Sequence, residues 1–254
     1  MIIVIFIIEV LGNLKLIKMK YQGSKSRIAS DIIPIMLEAF SKNNCEIFID
    51  CCVGGGNLLD KIPHSIKRYG NDSNEYLIEM WKAVSNGWTP PRIITENDYY
   101  SIRDNKDNDK ALTGYVGFAL SYGGKWFGGW SRGKDNKGND RDYVDESYRN
   151  CVLKQFPLML GVKFSNKDIL EIKPSKKSLL YIDPPYKGTT KYKDKFDYEK
   201  FYEWCRDRHK EGHIIFVSEY EMPDDFKCIW SKEINSSLTK DTGSKKGVEK
   251  LFIL

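Results

Sequence analysis

Apolar and polar positions follow two different periods along this chain. In IASDIIPIMLEAF (28–40) the apolar residues recur at about 3.6-residue spacing, which predicts an amphipathic helix. EIFID (46–50) is a short apolar run closed by the turn VGGGN and reads as a buried strand, with LLDKI starting a helix after it. KRYGND (67–72) predicts a second strand and NEYLIEMWKAV (74–84) the helix that follows. This β-α-β-α order favours a parallel sheet covered by helices. After a polar interval the pattern resumes. YRNCVLKQFPLML (148–160) predicts a helix, VKFSN (162–166) and SLLYID (178–183) strands, and DYEKFYEWCRDRHK (197–210) an amphipathic helix. HIIFVSE (213–219) predicts a buried strand, and KCIWSKE and VEKLFIL close the sheet at about seven strands.

The interval between the halves has a different character. From about Thr89 the chain is rich in Gly, Asn, Asp, Tyr and Lys, and only ALTGYVGFAL (111–120) looks fit for a core. Residues 89–147 therefore read as an inserted module with mobile loops, and 19–88 with 148–254 as the main domain. The first residues differ again. MIIVIFIIEVL (1–11) is apolar but too short to span a bilayer, and Glu9 interrupts it. It lacks the basic start and small-residue cleavage site of a signal peptide. It reads as an added strand, an interfacial anchor, or part of an extension, 1–18, ahead of a start at Met19.

Composition narrows the class only a little. A length of 254 residues suits one large domain or a domain with an insertion. A net charge of +5 with 15 Tyr and 6 Trp is compatible with a nucleic-acid partner, because aromatic faces beside Lys and Arg stack on bases. The same aromatics would equally fill an ordinary core. Six cysteines include no C-x-x-C pair and the histidines number three, so no metal is expected. Reduced thiols in a cytosol-like compartment fit better than a disulfide framework.

Two strand ends carry candidate chemistry. Asp50-Cys51-Cys52-Val53-Gly54-Gly55-Gly56-Asn57 is an apolar strand feeding a glycine-rich turn. Glycines let a backbone approach a ligand closely, although a tight turn that binds nothing has the same sequence. Asp72, at the end of the next strand and about twenty residues on, is placed to accept both hydroxyls of a ribose. No G-K-[ST] follows the glycines, which disfavours a phosphate-cradling loop. The second end is Tyr181-Ile182-Asp183-Pro184-Pro185-Tyr186. Two prolines fix φ twice and remove two N–H donors. The Asp183 carboxylate and the Pro184 carbonyl then form rigid acceptors suited to an exocyclic amine, beside the face of Tyr186. The plainer reading is a stiff turn with a solvated Asp.

D-P-P-Y with this motif order resembles the Dam-like (D12 class) adenine-N6 DNA methyltransferases, over about Met19 to Leu254. Tyr21-Gln22-Gly23-Ser24-Lys25 resembles the family's aromatic-x-G-[GS]-K motif, and Asp50 to Gly56 its D-P-F-x-G-x-G motif. Asn71-Asp72 stands where the family has its ribose-binding acid. GGKWFGGW, DPPYKGTT, VSEY and EKLF look like a phage-type branch. The resemblance implies a Rossmann-like S-adenosylmethionine-dependent methyltransferase sheet with 89–147 as an inserted target-recognition module. It implies a methyl transfer from S-adenosyl-L-methionine to adenine N6, with the base flipped out of double-stranded DNA. Asp183, Pro184, Pro185 and Tyr186 would be catalytic. Tyr21 and Lys25 would hold the methionine end of the cofactor, Asp72 the ribose and Asp168 the adenine side, with Asp50, Gly54, Gly56 and Asp183 completing the pocket. Asp168 reads equally as a helix cap. One departure is plain: Cys51-Cys52 replaces the family's Pro-Phe, so the pocket wall at Cys52 is altered.

Candidate DNA contacts are Lys125, Trp126, Arg132, Lys134 and Arg141 with Phe127 and Trp130, and Lys187, Lys191, Lys193 and Lys195 after the catalytic loop. The aromatics read alternatively as a small core of their own, and the lysines as a solvated charge run. Other acceptors for the methyl group are cytosine N4, RNA or a protein amide, and a DNA-binding module without catalysis is the reading from another class. The expected setting is the cytoplasm of a bacterial cell or phage-infected host. The protein is expected to be a monomer with no membrane partner, and a cognate restriction nuclease is optional.

Overall fold

The structure is a computed structural model and describes residues 18–184, 196–235 and 246–254. Seven strands among them form one sheet: β1 (Ile47–Asp50), β2 (Lys67–Asn71), β3 (Lys163–Ser165), β4 (Ser178–Ile182), β5 (Ile214–Ser218), β6 (Lys227–Asn235) and β7 (Lys246–Ile253). The spatial order is β3-β2-β1-β4-β5-β7-β6. The first five are mutually parallel, whereas β7 runs antiparallel to both β5 and β6. The chain therefore leaves β1 in one direction, through β2 and β3, and returns to β4 on the other side. Such a switch point opens a crevice at the carboxyl ends of β1 and β4, where ligands of open α/β sheets bind.

Burial on both faces explains why the central strands β1, β4 and β5 read as continuous apolar runs. Phe48, Leu179, Tyr181, Phe216 and Leu251 face one core, with α1 (Ala29–Lys42), α2 (Glu75–Ser85) and α4 (Lys110–Ala119). Ile47, Ile49, Leu180, Ile182, Ile215 and Val217 face the other, under α6 (Tyr198–Lys210). The remaining helices are α3 (Glu96–Asp104) and α5 (Tyr143–Asn150). Asn74, Thr95, Asp109, Asp142 and Asp197 cap α2 to α6 in turn, each accepting the backbone N–H three residues on.

Three expectations need correction. LLDKI forms only a 3₁₀ turn, Leu59–Lys61, because Ile62 precedes Pro63 and is driven to extended backbone. The helix expected over 148–160 is instead α5 followed by a π turn at Cys151–Gln155 and a 3₁₀ turn at Phe156–Met159; Pro157 cannot donate the i→i−4 bond that would continue an α-helix. The interval 89–147 holds α3, α4 and the start of α5, and its first half contributes to the core. Tyr99, Tyr115, Val116, Phe118, Ala119 and Leu120 are buried in the same cluster as β1 and β4. At the other end of the chain, Met19 is buried, its N–H donating to Gln155 Oε1 and its carbonyl accepting from Asn57 Nδ2. Lys18 lies 3.8 Å from Asp60, so close packing includes the residue before Met19; residues 1–17 lie outside those described. No helix among the described residues is long and apolar enough to cross a membrane.

Candidate active site

The crevice is built by two strand ends in register. Asp50, the last residue of β1, pairs with Tyr181 on β4, so Asp183 stands two residues beyond it on the same edge. The glycine turn leads away from Asp50, and Gly54 and Gly56 have φ of +48° and +68°, which side chains with a Cβ seldom adopt. Their neighbours add a second reason for glycine. A Cβ on Gly54 would lie 2.6 Å from the Tyr21 ring, and one on Gly56 2.9 Å from Trp81. Tyr21 thus lies directly on the turn that its motif is expected to work with. Trp81 Nε1 donates to the Gly54 carbonyl, fixing the turn from below.

Asp72 ties this turn to the end of β2. Its two carboxylate oxygens accept from Gly54 N–H at 3.0 Å and Asn74 N–H at 2.9 Å. A carboxylate offers about four acceptor positions, so these bonds leave room for a further donor. Burial raises the pKa of Asp72 while those backbone donors oppose the rise. Asn71 organises the same corner: its amide donates to the Cys51 and Lys167 carbonyls and accepts from Ser165 Oγ and Lys167 N–H. Asp168 caps the 3₁₀ turn Ile169–Glu171 by accepting from Leu170 N–H, as in the capping alternative. Cys51 packs into the core under α6, and Cys52 is half-buried among Asp50, Asp72 and Asp183. Burial pushes both thiols well above their ordinary value, as it does Asp50, for which the neighbouring Asp183 adds to the rise.

Asp183 has one close cation. Lys25 Nζ sits 3.0 Å from Asp183 Oδ1 and 3.5 Å from Glu249 Oε2, with all three side chains largely buried. Burial opposes the Lys25 charge, but the two carboxylates outweigh it and raise its pKa. Burial pushes Asp183 up to about 6, with Lys25 pulling it down and Glu249 pushing it further up. Despite the nearby ammonium, Asp183 Oδ1 has no hydrogen bond of acceptable geometry, although the atom is fully buried. Glu249 and Trp81 were not among the expected site residues. The one signal for Glu249 was a lone acid inside an apolar closing strand.

The remaining expected residues scatter. Pro185, Tyr186, Lys187, Lys191, Lys193 and Lys195 lie outside the described residues. Trp126 is half-buried, stacked on Tyr76 and packed against Phe118 and Phe127, and Trp130 packs edge-on to Tyr99. These aromatics fill a small core, as in the alternative reading, rather than offering an open stacking face. Arg132 meets both oxygens of Glu96 and Arg141 both oxygens of Glu146, and Lys134 is exposed near the tip. Lys125 follows Gly124, whose carbonyl accepts from Gln22 N–H and so docks this loop onto the Tyr21 motif.

The crevice offers a ligand a glycine edge on one side and an under-used buried acceptor on the other, as a group-transfer enzyme with a nucleotide-like cofactor requires. The chain belongs to the D12 class N6 adenine-specific DNA methyltransferase family, whose model matches residues 21–218. The family's methyl donor is S-adenosylmethionine, and its substrate is DNA. Among solved structures, similarity extends to the rRNA methyltransferase aviRa from Streptomyces viridochromogenes, at 11% identity over 92% of this chain and 86% of that one, TM-score 0.43. It also extends to a protein from Haemophilus influenzae described as a methylase, at 9% identity over 89% and 97%, TM-score 0.36. At these scores neither adds to the topology above. No curated protein matches significantly.

Proposed function

We propose that Asp183 and the Pro184 carbonyl accept the two N–H bonds of an adenine N6 amine flipped out of double-stranded DNA. The observation that carries this reading is the buried Asp183 carboxylate at the crevice, whose Oδ1 is paired in charge with Lys25 at 3.0 Å but lies in no well-aligned hydrogen bond. A carboxylate held by a single cation keeps lone pairs free for an incoming N–H donor. Adenine N6 is a weak nucleophile because its lone pair is delocalised into the ring. Two acceptors favour a pyramidal nitrogen with a localised lone pair and stabilise the positive charge that develops on it. When bound, S-adenosylmethionine supplies an electrophilic methyl group on a positively charged sulfur. Tyr21, Lys25, Asp50, Gly54, Gly56 and Asp72 would hold it, with Asp72 toward the ribose and Asp168 on the adenine side. Tyr186 would stack on the flipped base. Transfer of tritium from labelled S-adenosylmethionine to adenine N6 of duplex DNA tests the reading; label in cytosine, RNA or protein instead would overturn it.

The rate should also report the acid. The active form of Asp183 is the carboxylate, and its pKa is pushed up to about 6. The rate of transfer is therefore expected to be flat at mildly alkaline pH and to fall as pH drops through about 6. A single-turnover pH profile with no acid limb between pH 5 and 7 would remove Asp183 from this role.

In this reading the exposed arm of 89–147 would recognise the DNA target. Arg132 and Lys134 are the better pair to change, since Lys125 adjoins the contact with Gln22. Exposed ion pairs such as Arg132–Glu96 are weak, so a phosphate can displace the glutamate. Arg132→Ala with Lys134→Ala should weaken DNA binding and flatten its salt dependence by up to about two counterions. Affinity for S-adenosylmethionine should stay the same. Equilibrium titrations across salt check both halves, and unchanged DNA binding would move recognition elsewhere.

A further inference from the structure

We propose that Gln155 is a positioning residue of the cofactor pocket, seating the Tyr21 segment against the glycine turn by hydrogen-bonding to both. The inference rests on the reading of Tyr21 and this turn as the seat of S-adenosylmethionine.

Gln155 comes from a distant part of the chain. α5 ends at Asn150 and the backbone widens into the π turn Cys151–Gln155. The buried side chains of this stretch are Cys151, Val152, Gln155, Phe156 and Met159, so one amide interrupts an apolar stripe. π turns of this kind are frequent at functional sites. An apolar side chain would serve burial alone, and a buried amide is costly unless its bonds are made. Those bonds all run toward the cofactor crevice. Gln155 Oε1 accepts from Met19 N–H at 3.1 Å. Its Nε2 donates to the Gly55 carbonyl at 2.9 Å, to Asp60 Oδ2 at 3.1 Å and, at the longest distance, to Asn57 Oδ1 at 3.3 Å. Asn57 Nδ2 completes the grip by donating to the Met19 carbonyl. Both polar backbone groups of Met19 are thus held from the turn side, two residues before Tyr21. The Tyr21 side chain then lies across the turn so closely that a Cβ on Gly55 would stand 2.6 Å from its own Cβ.

The partners specify an amide at position 155. Met19 N–H can only donate, whereas the Gly55 carbonyl and the Asp60 carboxylate, paired with Lys61 at 2.8 Å, can only accept. A side chain that satisfies them needs an acceptor at one tip and a donor at the other. Glutamate lacks the donor when ionised, and methionine lacks both. Gly55 stands beside Gly54, whose N–H meets Asp72 and whose carbonyl meets Trp81. A pull on the Gly55 carbonyl therefore sets the glycine edge and the ribose corner together.

The test measures equilibrium binding of S-adenosylmethionine, of S-adenosylhomocysteine and of duplex DNA below the melting temperature. It compares wild type, Gln155→Met, Tyr21→Leu and the double variant. Methionine keeps the volume of glutamine and removes the amide. For Gln155→Met we expect affinity for both cofactor forms to fall about tenfold, with DNA affinity unchanged. In steady state the loss should appear in KM for S-adenosylmethionine, with kcat at saturating cofactor within about threefold of wild type, because the change does not touch Asp183 or Pro184. In the Tyr21→Leu background the same substitution should cost less than about threefold, since its effect passes through the seating of that side chain. Unchanged cofactor affinity, fully additive losses, or an equal loss of DNA affinity overturns the proposal. If Gln155→Met does not fold, Gln155→Asn decides by the same cycle, because it keeps the amide but is too short to reach Met19 and Gly55 together. Failure of both to fold makes the residue structural and also overturns it. Tyr21→Leu binding S-adenosylmethionine as tightly as wild type would defeat the cofactor-site reading instead, and so separates the two failures.

Discussion

Asp183→Ala is expected to lower the rate of methyl transfer by at least about a hundredfold, roughly 2.7 kcal/mol of barrier, while S-adenosylmethionine still binds. The loss has two parts. The amine loses an acceptor, and the charge developing on nitrogen loses a carboxylate in a site where few other groups can screen it. Asp183→Asn separates them, keeping an acceptor oxygen and the volume but removing the charge, and should fall between wild type and Asp183→Ala. Folding should survive both changes at neutral pH. The pKa of Asp183 is raised in the folded protein, so its stabilising contribution is greatest below the unfolded value of about 3.9 and is lost as pH rises through about 6. At pH 8 the titration of Asp183 therefore works against the fold, and Lys25 keeps Glu249 as a partner after the change. Melting curves with and without S-adenosylmethionine check folding and binding in one experiment. More than about a tenth of wild-type activity in Asp183→Ala, less than ~1.4 kcal/mol, would falsify its assignment as the amine acceptor.

Asp50, Asp72 and Asp183 were legible in the sequence because each ends or follows a strand. A strand buried on both faces leaves a continuous apolar run, so an acid just past it marks the edge of the sheet. The central strands β1, β4 and β5 were legible for the same reason. Residues whose partners come from distant segments were not legible in this way. Trp81 looks like any apolar residue of an amphipathic helix, and only the folded chain shows its indole N–H on the Gly54 carbonyl. Asn57 and Gln155 read as polar loop and helix residues, yet they are buried together and bind Met19 and the Gly55 carbonyl. Glu249 needed the reversal of β7 to be brought to Lys25. The aromatics Trp126 and Trp130 erred in the opposite direction. Beside Gly and Lys they suggested an open nucleic-acid surface, but Gly117 leaves a hollow that Trp126 fills, with its ring 2.3 Å from where a Cβ would stand. Composition cannot tell a glycine that frees a loop from one that admits a side chain.

The interval 89–147 shows that ambiguity on a larger scale, and Gly114 decides how deeply it belongs to the fold. Its helix α4 crosses α2 so closely that a Cβ on Gly114 would lie 2.1 Å from the Tyr76 carbonyl oxygen and 2.8 Å from its carbon. These are backbone atoms in the middle of contact between two helices, so no rotamer change relieves the clash; the helices must separate. Gly114→Val is expected to destabilise the protein by about 3 kcal/mol or more, at the upper end of overpacking effects. The Ala variant should lie between it and wild type, because a small gain in helix propensity cannot offset a contact of that kind. The loss should be global. α2 also supplies Trp81 beneath Gly54, and Tyr115 and Phe118 on α4 lie in the same core as β1 and β4. Separating α4 from α2 therefore disturbs the floor of the glycine turn and the affinity for S-adenosylmethionine along with the insertion. Urea unfolding followed by tryptophan fluorescence should show a single transition with a lowered midpoint, and cofactor binding should be lost over the same range. A variant with an unchanged midpoint and intact cofactor binding, but impaired DNA binding, would show instead that the interval is a separable module resting on a core that does not need it.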